Sequence, residues 1–164
     1  MTVYYVNATI LAKPNTVQLL QSADIITNNI HVAFVAETWF DCKVNDDLIS
    51  IDNYTLVRLD RNPVQKRKGG GVCCYVRNDV KFNVLKLRNP TEPSLEYMWI
   101  RCTYGTTKNY IIACIYHPPK PRYNTEVFVR ELSADLENML CTSGDSIFVL
   151  AGDFNSLNTD FFVQ

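Results

Sequence analysis

The sequence predicts one α/β domain over residues 1–164, with mixed, largely antiparallel strands and helices laid over the sheet faces. Three observations lead there. Apolar runs of strand length recur along the chain, two segments carry helical period instead, and the runs in the middle follow one another through connections too short for crossover helices. The last of these argues against a purely parallel, doubly wound sheet.

The first run is Val3 to Val6. Thr16 to Thr27 then reads as a helix, because Pro14 and Asn15 are start signals and Val17, Leu20, Ala23 and Ile26 or Thr27 fall on one stripe. Val32 to Ala36, Tyr54 to Leu59, Val72 to Val76, Tyr97 to Cys102 and Tyr110 to Tyr116 follow as strands rich in Val, Ile, Tyr and Cys, most of them bounded by Gly, Pro, Asn or Asp. Several are apolar on both alternating faces, which predicts strands covered on two sides. Asn124 to Leu140 returns to helical period, with Phe128, Leu132, Leu136 and Met139 or Leu140 on its stripe and Gly144 as its stop. Glu126 and Glu131 lie early in it, where the helix dipole favours acids. Ile147 to Leu150 is the last strand.

Composition bounds the function. A chain that is 47% hydrophobic and 20% charged buries a core and is not a disordered tail. It contains no run near the 18 or so apolar residues that a spanning helix requires, and the start MTVYYVNATILAKP has no basic stretch ahead of its apolar residues. The expectation is an intracellular protein that does not engage a membrane. Sixteen basic against seventeen acidic residues favour no polyanionic partner overall, but Arg58, Arg61, Lys66, Arg67 and Lys68 stand close together against Asp60 alone. The six cysteines form no C-x-x-C pair and read as reduced, buried small hydrophobes.

Four polar positions interrupt or end the apolar strands, where an α/β protein places functional groups. Asn7 follows the first strand and reads either as a turn former or as a site residue. Glu37 closes a fully apolar strand, so its carboxylate must reach solvent or find a partner such as a divalent cation. Tyr116 ends its strand ahead of His117-Pro118-Pro119, which puts a phenol at the mouth of a loop stiffened by proline, unless it is a half-buried sheet tyrosine. Gly152-Asp153-Phe154-Asn155 makes a tight turn in which Asp153 and Asn155 can face the same side. Lys66-Arg67-Lys68-Gly69-Gly70-Gly71 precedes a strand, so it is not a P-loop; a flexible basic loop that follows a phosphate backbone fits better, or else a solvated connection.

Taken jointly these pieces resemble the endonuclease/exonuclease/phosphatase superfamily and, within it, the apurinic-type endonuclease domain of non-LTR retrotransposons. The resemblance runs in order along essentially the whole chain: Asn7, Ala36-Glu37-Thr38-Trp39, Gly69-Gly70-Gly71-Val72, Glu96 with Trp99, Tyr116-His117-Pro118-Pro119 and Leu150 to Asn155. It implies a four-layered, deoxyribonuclease-I-like α/β sandwich with the site at one end of two facing sheets. In the catalytic roles that the resemblance implies, Glu37 holds Mg²⁺ or Mn²⁺ with Asn7 adjacent in the metal shell. Asp153 orients or deprotonates the attacking water, Asn155 binds or orients the phosphate, and Tyr116 donates its hydroxyl to a phosphate oxygen. Glu96 stands behind them as a supporting residue, and Lys66, Arg67 and Lys68 contact the nucleic acid.

The resemblance further implies DNA as the partner, a reverse transcriptase in the parent polypeptide, action in the nucleus, and no cofactor beyond the divalent ion. The superfamily pattern continues past GDFN with another Asp and, near the domain end, a Ser-Asp-His element, and no Ser-Asp-His element occurs before Gln164. The expectation is therefore a partial domain with C-terminal strands missing, an exposed sheet edge and impaired nicking. Two rivals are a catalytically dead nucleic-acid-binding or regulatory fragment and a phosphatase-type member acting on a small phosphoester. His31, at the far end of its strand from Glu37, reads as a boundary residue, and His117 should point away from Tyr116.

Overall fold

The computed structural model describes residues 1–8, 25, 28–61, 69–85, 95–105 and 108–157. The helix expected over Thr16 to Thr27 lies, apart from Ile25, outside the described residues, and so does the basic run Lys66-Arg67-Lys68. In chain order the elements are β1 (Val3–Asn7), β2 (Val32–Ala36), β3 (Tyr54–Leu59), β4 (Val72–Arg77), β5 (Lys81–Leu85), β6 (Glu96–Tyr104), β7 (Lys108–Tyr116), α1 (Thr125–Thr142) and β8 (Ile147–Asp153). A short 3-10 turn at Asp46–Leu48 sits between β2 and β3.

These strands form two mixed four-stranded sheets, ordered β1-β2-β4-β3 and β5-β6-β7-β8. Each carries one parallel pair at an edge, β1 with β2 and β7 with β8, and is otherwise antiparallel. A parallel pair needs a crossover, and α1 supplies it between β7 and β8. Asn124 caps α1, its side chain accepting from the Glu126 amide at 2.8 Å.

The sheets pack face to face, as the doubly apolar strands require. Val32, Phe34, Ala36, Val72, Cys74 and Val76 of the first meet Met98, Ile100, Cys102, Ile112, Cys114 and Tyr116 of the second. The alternate residues Ala33, Val35, Cys73 and Tyr75 face outward under Ile25, Ile30, Phe40, Ile49 and Ile51. On the other side Trp99, Ile111, Ala113 and Ile115 lie under Phe128, Leu132 and Met139 of α1. The protein is thus a layered α/β sandwich, not a closed barrel.

Several expectations are corrected. The runs of β4 and β6, expected to follow each other as strands, are separated by β5 and belong to different sheets, because β4 pairs with β2 and β3 while β6 pairs with β5 and β7. The intervening strand β5 was not expected: KFNVL is an edge strand with its residues exposed or half-buried, so it carries little apolar signal. Four cysteines are buried, but Cys42 and Cys141 are exposed; all six are free thiols. On α1 it is Met139 that packs inward, whereas Leu140 is 53% exposed. The stripe also buries Glu131 and Asp135, the latter accepting from the Tyr97 hydroxyl at 3.0 Å. Among the described residues no helix is long and apolar enough to cross a membrane.

One glycine sets the spacing of the β7–β8 pair. A Cβ at Gly152 would lie 2.0 Å from the Ile115 carbonyl oxygen, inside any tolerable contact. Gly152→Ala should therefore push β8 away from β7 and cost about 1–3 kcal/mol, read as a lower midpoint in urea denaturation.

Candidate active site

Both parallel pairs end at the same end of the sandwich, and their last residues carry the polar groups. Asn7 ends β1 and Glu37 follows β2; Tyr116 and Asp153 end β7 and β8 as register partners. β4 and β6 run the other way, so their beginnings, Gly71 and Glu96, arrive at this end too, and Glu96 pairs in register with Tyr116.

Four hydrogen bonds tie the ends of the two sheets together here. Asn7 Nδ2 donates to Asp153 Oδ2 at 2.6 Å. The Tyr116 hydroxyl donates to Glu37 Oε1 at 2.8 Å. Glu96 Oε2 accepts the Gly71 amide at 2.8 Å, while its Oε1 takes Nε of Arg61. Glu37 and Asp153, more than 100 residues apart in the chain, are thereby brought to one end of the sandwich, on either side of Tyr116.

Backbone turns aim these groups. Glu37 and Trp39 take positive φ, 56° and 58°, which bends the chain sharply after β2. The turn is held by the glycine run: Trp39 N donates to Gly70 O at 2.9 Å and Thr38 N to Gly71 O at 3.4 Å. Gly71 has φ 81°, and a Cβ there would meet Thr38 Oγ1 at 2.7 Å, so the site demands glycine. Trp39 Nε1 returns a donor to Glu37 Oε2 at 3.4 Å. Asn155, with φ 45°, lets its own amide bond Asp153 Oδ1 at 3.1 Å. Its side-chain Nδ2 donates to the His117 carbonyl at 2.8 Å, which ties the β8 turn to the loop after β7.

Burial keeps the Tyr116 phenol protonated. Desolvation raises its pKa well above the ordinary 10.0, the bond to Glu37 and that residue's charge raise it further, and only Arg61 opposes them. Arg61 lies over the Tyr116 ring, its guanidinium carbon 5.6 Å from the centroid. His117 points away from Tyr116 and packs edge-on against Tyr123 and Phe128, its pKa lowered by burial. His31 sits at the opposite end, where Nδ1 accepts the Thr2 amide at 3.0 Å.

Asn7, Glu37, Tyr116, Asp153 and Glu96 are thus gathered at one end, with Asn155 on the adjoining turn. Lys66, Arg67 and Lys68 lie outside the described residues. Sequence reasoning missed Arg61, because it stands in a charged segment whose other members give no sign that this one folds inward. Among the described residues no group of three His, Cys, Asp or Glu side chains gathers as a metal cage. The donors that do converge, two carboxylates and an amide, are hard oxygen ligands. Such a set fits Mg²⁺ or Mn²⁺, which use one or two carboxylates and keep several waters.

A family model described as the Endonuclease/Exonuclease/phosphatase family matches residues 11–162. Direct comparison with curated proteins gives no match. Among solved structures, D. rerio TDP2 humanized by 14 mutations aligns at TM-score 0.64 and 15% identity, covering 97% of this chain and 67% of that one. ANGEL2, a 2',3'-cyclic phosphatase, aligns at 0.63 and 14% over 96% and 53% of the two chains. The endonuclease domain of TRAS1, a telomere-specific non-LTR retrotransposon, aligns at 0.58 and 13% over 96% and 61%. This chain therefore spans from 53% to 67% of the length of these structures, and at such identities the likeness is one of fold.

The Arg61–Glu96 pair is almost enclosed, with side chains 9% and 6% exposed. Glu96→Ala would leave a buried guanidinium without its counter-ion and should cost about 3–5 kcal/mol, while Glu96→Gln, which keeps an acceptor for the Gly71 amide, should cost less. Chemical denaturation of the two variants checks both the loss and its order.

Proposed function

Because the chain belongs to the endonuclease/exonuclease/phosphatase family, we propose that it hydrolyses phosphodiester bonds of DNA with the help of a divalent ion, nicking a strand so that a retrotransposon's reverse transcriptase can prime from it in the nucleus. The observation that carries this reading is the convergence of Glu37, Tyr116, Asp153 and Asn7, from four separate strand ends, at one polar end of an otherwise apolar sandwich.

A phosphodiester repels nucleophiles and hydrolyses extremely slowly unaided, so a site must neutralise its charge and deliver water in line. Glu37 and the Asn7 amide oxygen are the residues that would hold Mg²⁺ or Mn²⁺. When bound, the ion supplies charge neutralisation at the phosphate. Tyr116 provides a neutral donor: its O–H, directed at Glu37 Oε1 in the free protein, would turn to a phosphate oxygen when the substrate binds. Asp153 is the base. Asn7 and the Asn155 amide hold its two oxygens, which fixes the carboxylate against rotation while it takes a proton from water. Glu96 and Arg61 act behind Tyr116, keeping the beginnings of β4 and β6 in place. Lys66, Arg67 and Lys68 would contact the DNA backbone.

A second reading is turnover of a small or terminal phosphoester, favoured by the likeness to a 2',3'-cyclic phosphatase. The same pocket chemistry serves both; the basic run favours the polymer.

Supercoiled plasmid incubated with the chain and Mg²⁺ should be converted to nicked circles, and chelation should stop it. Glu37→Gln and Asp153→Asn should abolish nicking, and Tyr116→Phe should lower kcat by about 10²–10³-fold. Since burial and Glu37 raise the Tyr116 pKa, the phenol adds no alkaline loss of activity below its ordinary 10.0. Replacing Lys66, Arg67 and Lys68 with Ala should weaken DNA binding and flatten its salt dependence. Salt-dependent binding without nicking would replace hydrolysis by a binding role, and hydrolysis of a nucleoside 2',3'-cyclic phosphate but not of plasmid would select the second reading.

A further inference from the structure

Arg61 spends one edge of its guanidinium on structure and leaves the other open. Its Nε donates to Glu96 Oε1, and Glu96 Oε2 takes the Gly71 amide, so both oxygens of that carboxylate are engaged. The guanidinium carbon lies 5.6 Å from the centroid of the Tyr116 ring. The Gly70 backbone packs against the same group so closely that a Cβ there would fall 2.1 Å from the guanidinium carbon. Held by Glu96, Tyr116 and Gly70 together, the plane of the guanidinium is fixed before any ligand arrives.

A guanidinium carries several N–H donors. Among the described residues, only the one on Nε has a protein partner. Neither Nη1 nor Nη2 belongs to the polar atoms that are both sealed from solvent and unbonded. The amino edge therefore meets water, although the side chain as a whole is only 9% exposed. Gly69 keeps this edge clear: a Cβ there would lie 3.7 Å from Nη1 and 3.6 Å from Trp39 Nε1, the group that donates to Glu37.

The order of the strands says which part of a substrate would meet that edge. Asp153, Tyr116 and Glu96 are register partners on the adjacent strands β8, β7 and β6. Neighbouring strands stand about 4.8 Å apart, so Glu96 lies one step beyond Tyr116 and two beyond Asp153. Arg61 is attached to Glu96, at the far end of this row. A phosphate that accepts from Tyr116 while Asp153 activates its water occupies the other end. The amino edge of Arg61 lies where a substrate chain continues past Tyr116, and its planar pair of donors matches two oxygens of a phosphate group.

We propose that Arg61 is a specificity-determining residue of this site, its Nη1 and Nη2 binding the phosphate next to the one that is cut, so that a nucleic-acid strand is selected over an isolated phosphoester. The inference rests on the hydrolytic reading above. Because the guanidinium is already fixed, little freedom is lost when the phosphate docks.

The test compares a thymidine dinucleotide, which has one phosphodiester, with the trinucleotide, which has two. Per bond, wild-type kcat/KM should favour the trinucleotide about tenfold, the worth of a hydrogen bond to a charged group, with the gain in KM. Arg61→Ala alone would strand the buried Glu96 carboxylate, so the informative variant is Arg61→Met with Glu96→Gln. It removes the ion pair, leaves the net charge unaltered and keeps an acceptor for the Gly71 amide, and such exchanges of a buried pair are often neutral for stability. In it the preference should vanish. Arg61→Lys, which retains a cation beside Glu96 but not the planar fork, should lose most of it as well. A purely structural Arg61 would lower turnover of both substrates alike and keep their ratio, and that result, or a wild type that treats the two equally, would overturn the proposal. With Mg²⁺ withheld, titration of the two oligonucleotides should show the same preference in affinity and its loss in the double variant. A wild-type chain inert on both with Mg²⁺ speaks against the hydrolytic reading, whereas the metal-free affinities judge Arg61 alone.

Discussion

The facing of two sheets whose parallel pairs finish at the same end is the constraint on which the rest of this protein depends. Asn7 with Asp153, Tyr116 with Glu37, and Glu96 with Gly71 and Arg61 all reach from one sheet to the other. Sliding one sheet along the other by a single residue, about 3.3 Å, would carry these partners out of reach and break the contacts together. The apolar layer that prevents this is closely matched: Phe34, Ala36, Val72 and Cys74 against Ile100, Ile112, Cys114 and Tyr116, every one of them buried. Polar function at the end is thus a consequence of apolar packing in the middle.

Strain is concentrated beside the pocket. Glu37, Trp39 and Asn155 all adopt positive φ, a conformation that costs a residue with a side chain of order 1–3 kcal/mol. The surroundings sustain it locally: glycine carbonyls accept from Thr38 and Trp39, and Asp153 accepts from Asn155. Groups held this way need little reorganisation when charge develops on a ligand, which is the property a site for phosphate chemistry requires. The glycine run accordingly has a structural task in seating the turn after β2, whatever the basic residues ahead of it contact.

Charge is arranged in two tiers. At the mouth stand Glu37 and Asp153, engaged by neutral donors, so their negative charge is available to a cation or a proton. Behind them Glu96 is matched by Arg61, a closed pair that adds no net charge to the pocket but fixes the strand ends that form it. The guanidinium over the Tyr116 ring is where the tiers meet, since it moderates the rise in the phenol's pKa that burial imposes.

Local composition was enough to mark most strands, because a run such as Val32 to Ala36 or Tyr110 to Tyr116 is apolar on both faces and can lie only inside a sandwich. It also marked the inward stripe of α1 and, by resemblance of ordered motifs, the polar strand ends now seen together. What composition could not carry is information held jointly by distant segments. Half-exposed β5 has no apolar signature and is recognisable only from its partner β6. β4 and β5 are consecutive strands joined by a short turn, yet they are assigned to different sheets by pairing energies summed over whole strands. Arg61 is one basic residue among several until Glu96, 35 residues away, draws it inward. A residue's propensity is written in its own neighbourhood, but its electrostatic surroundings exist only once the two sheets have closed upon each other.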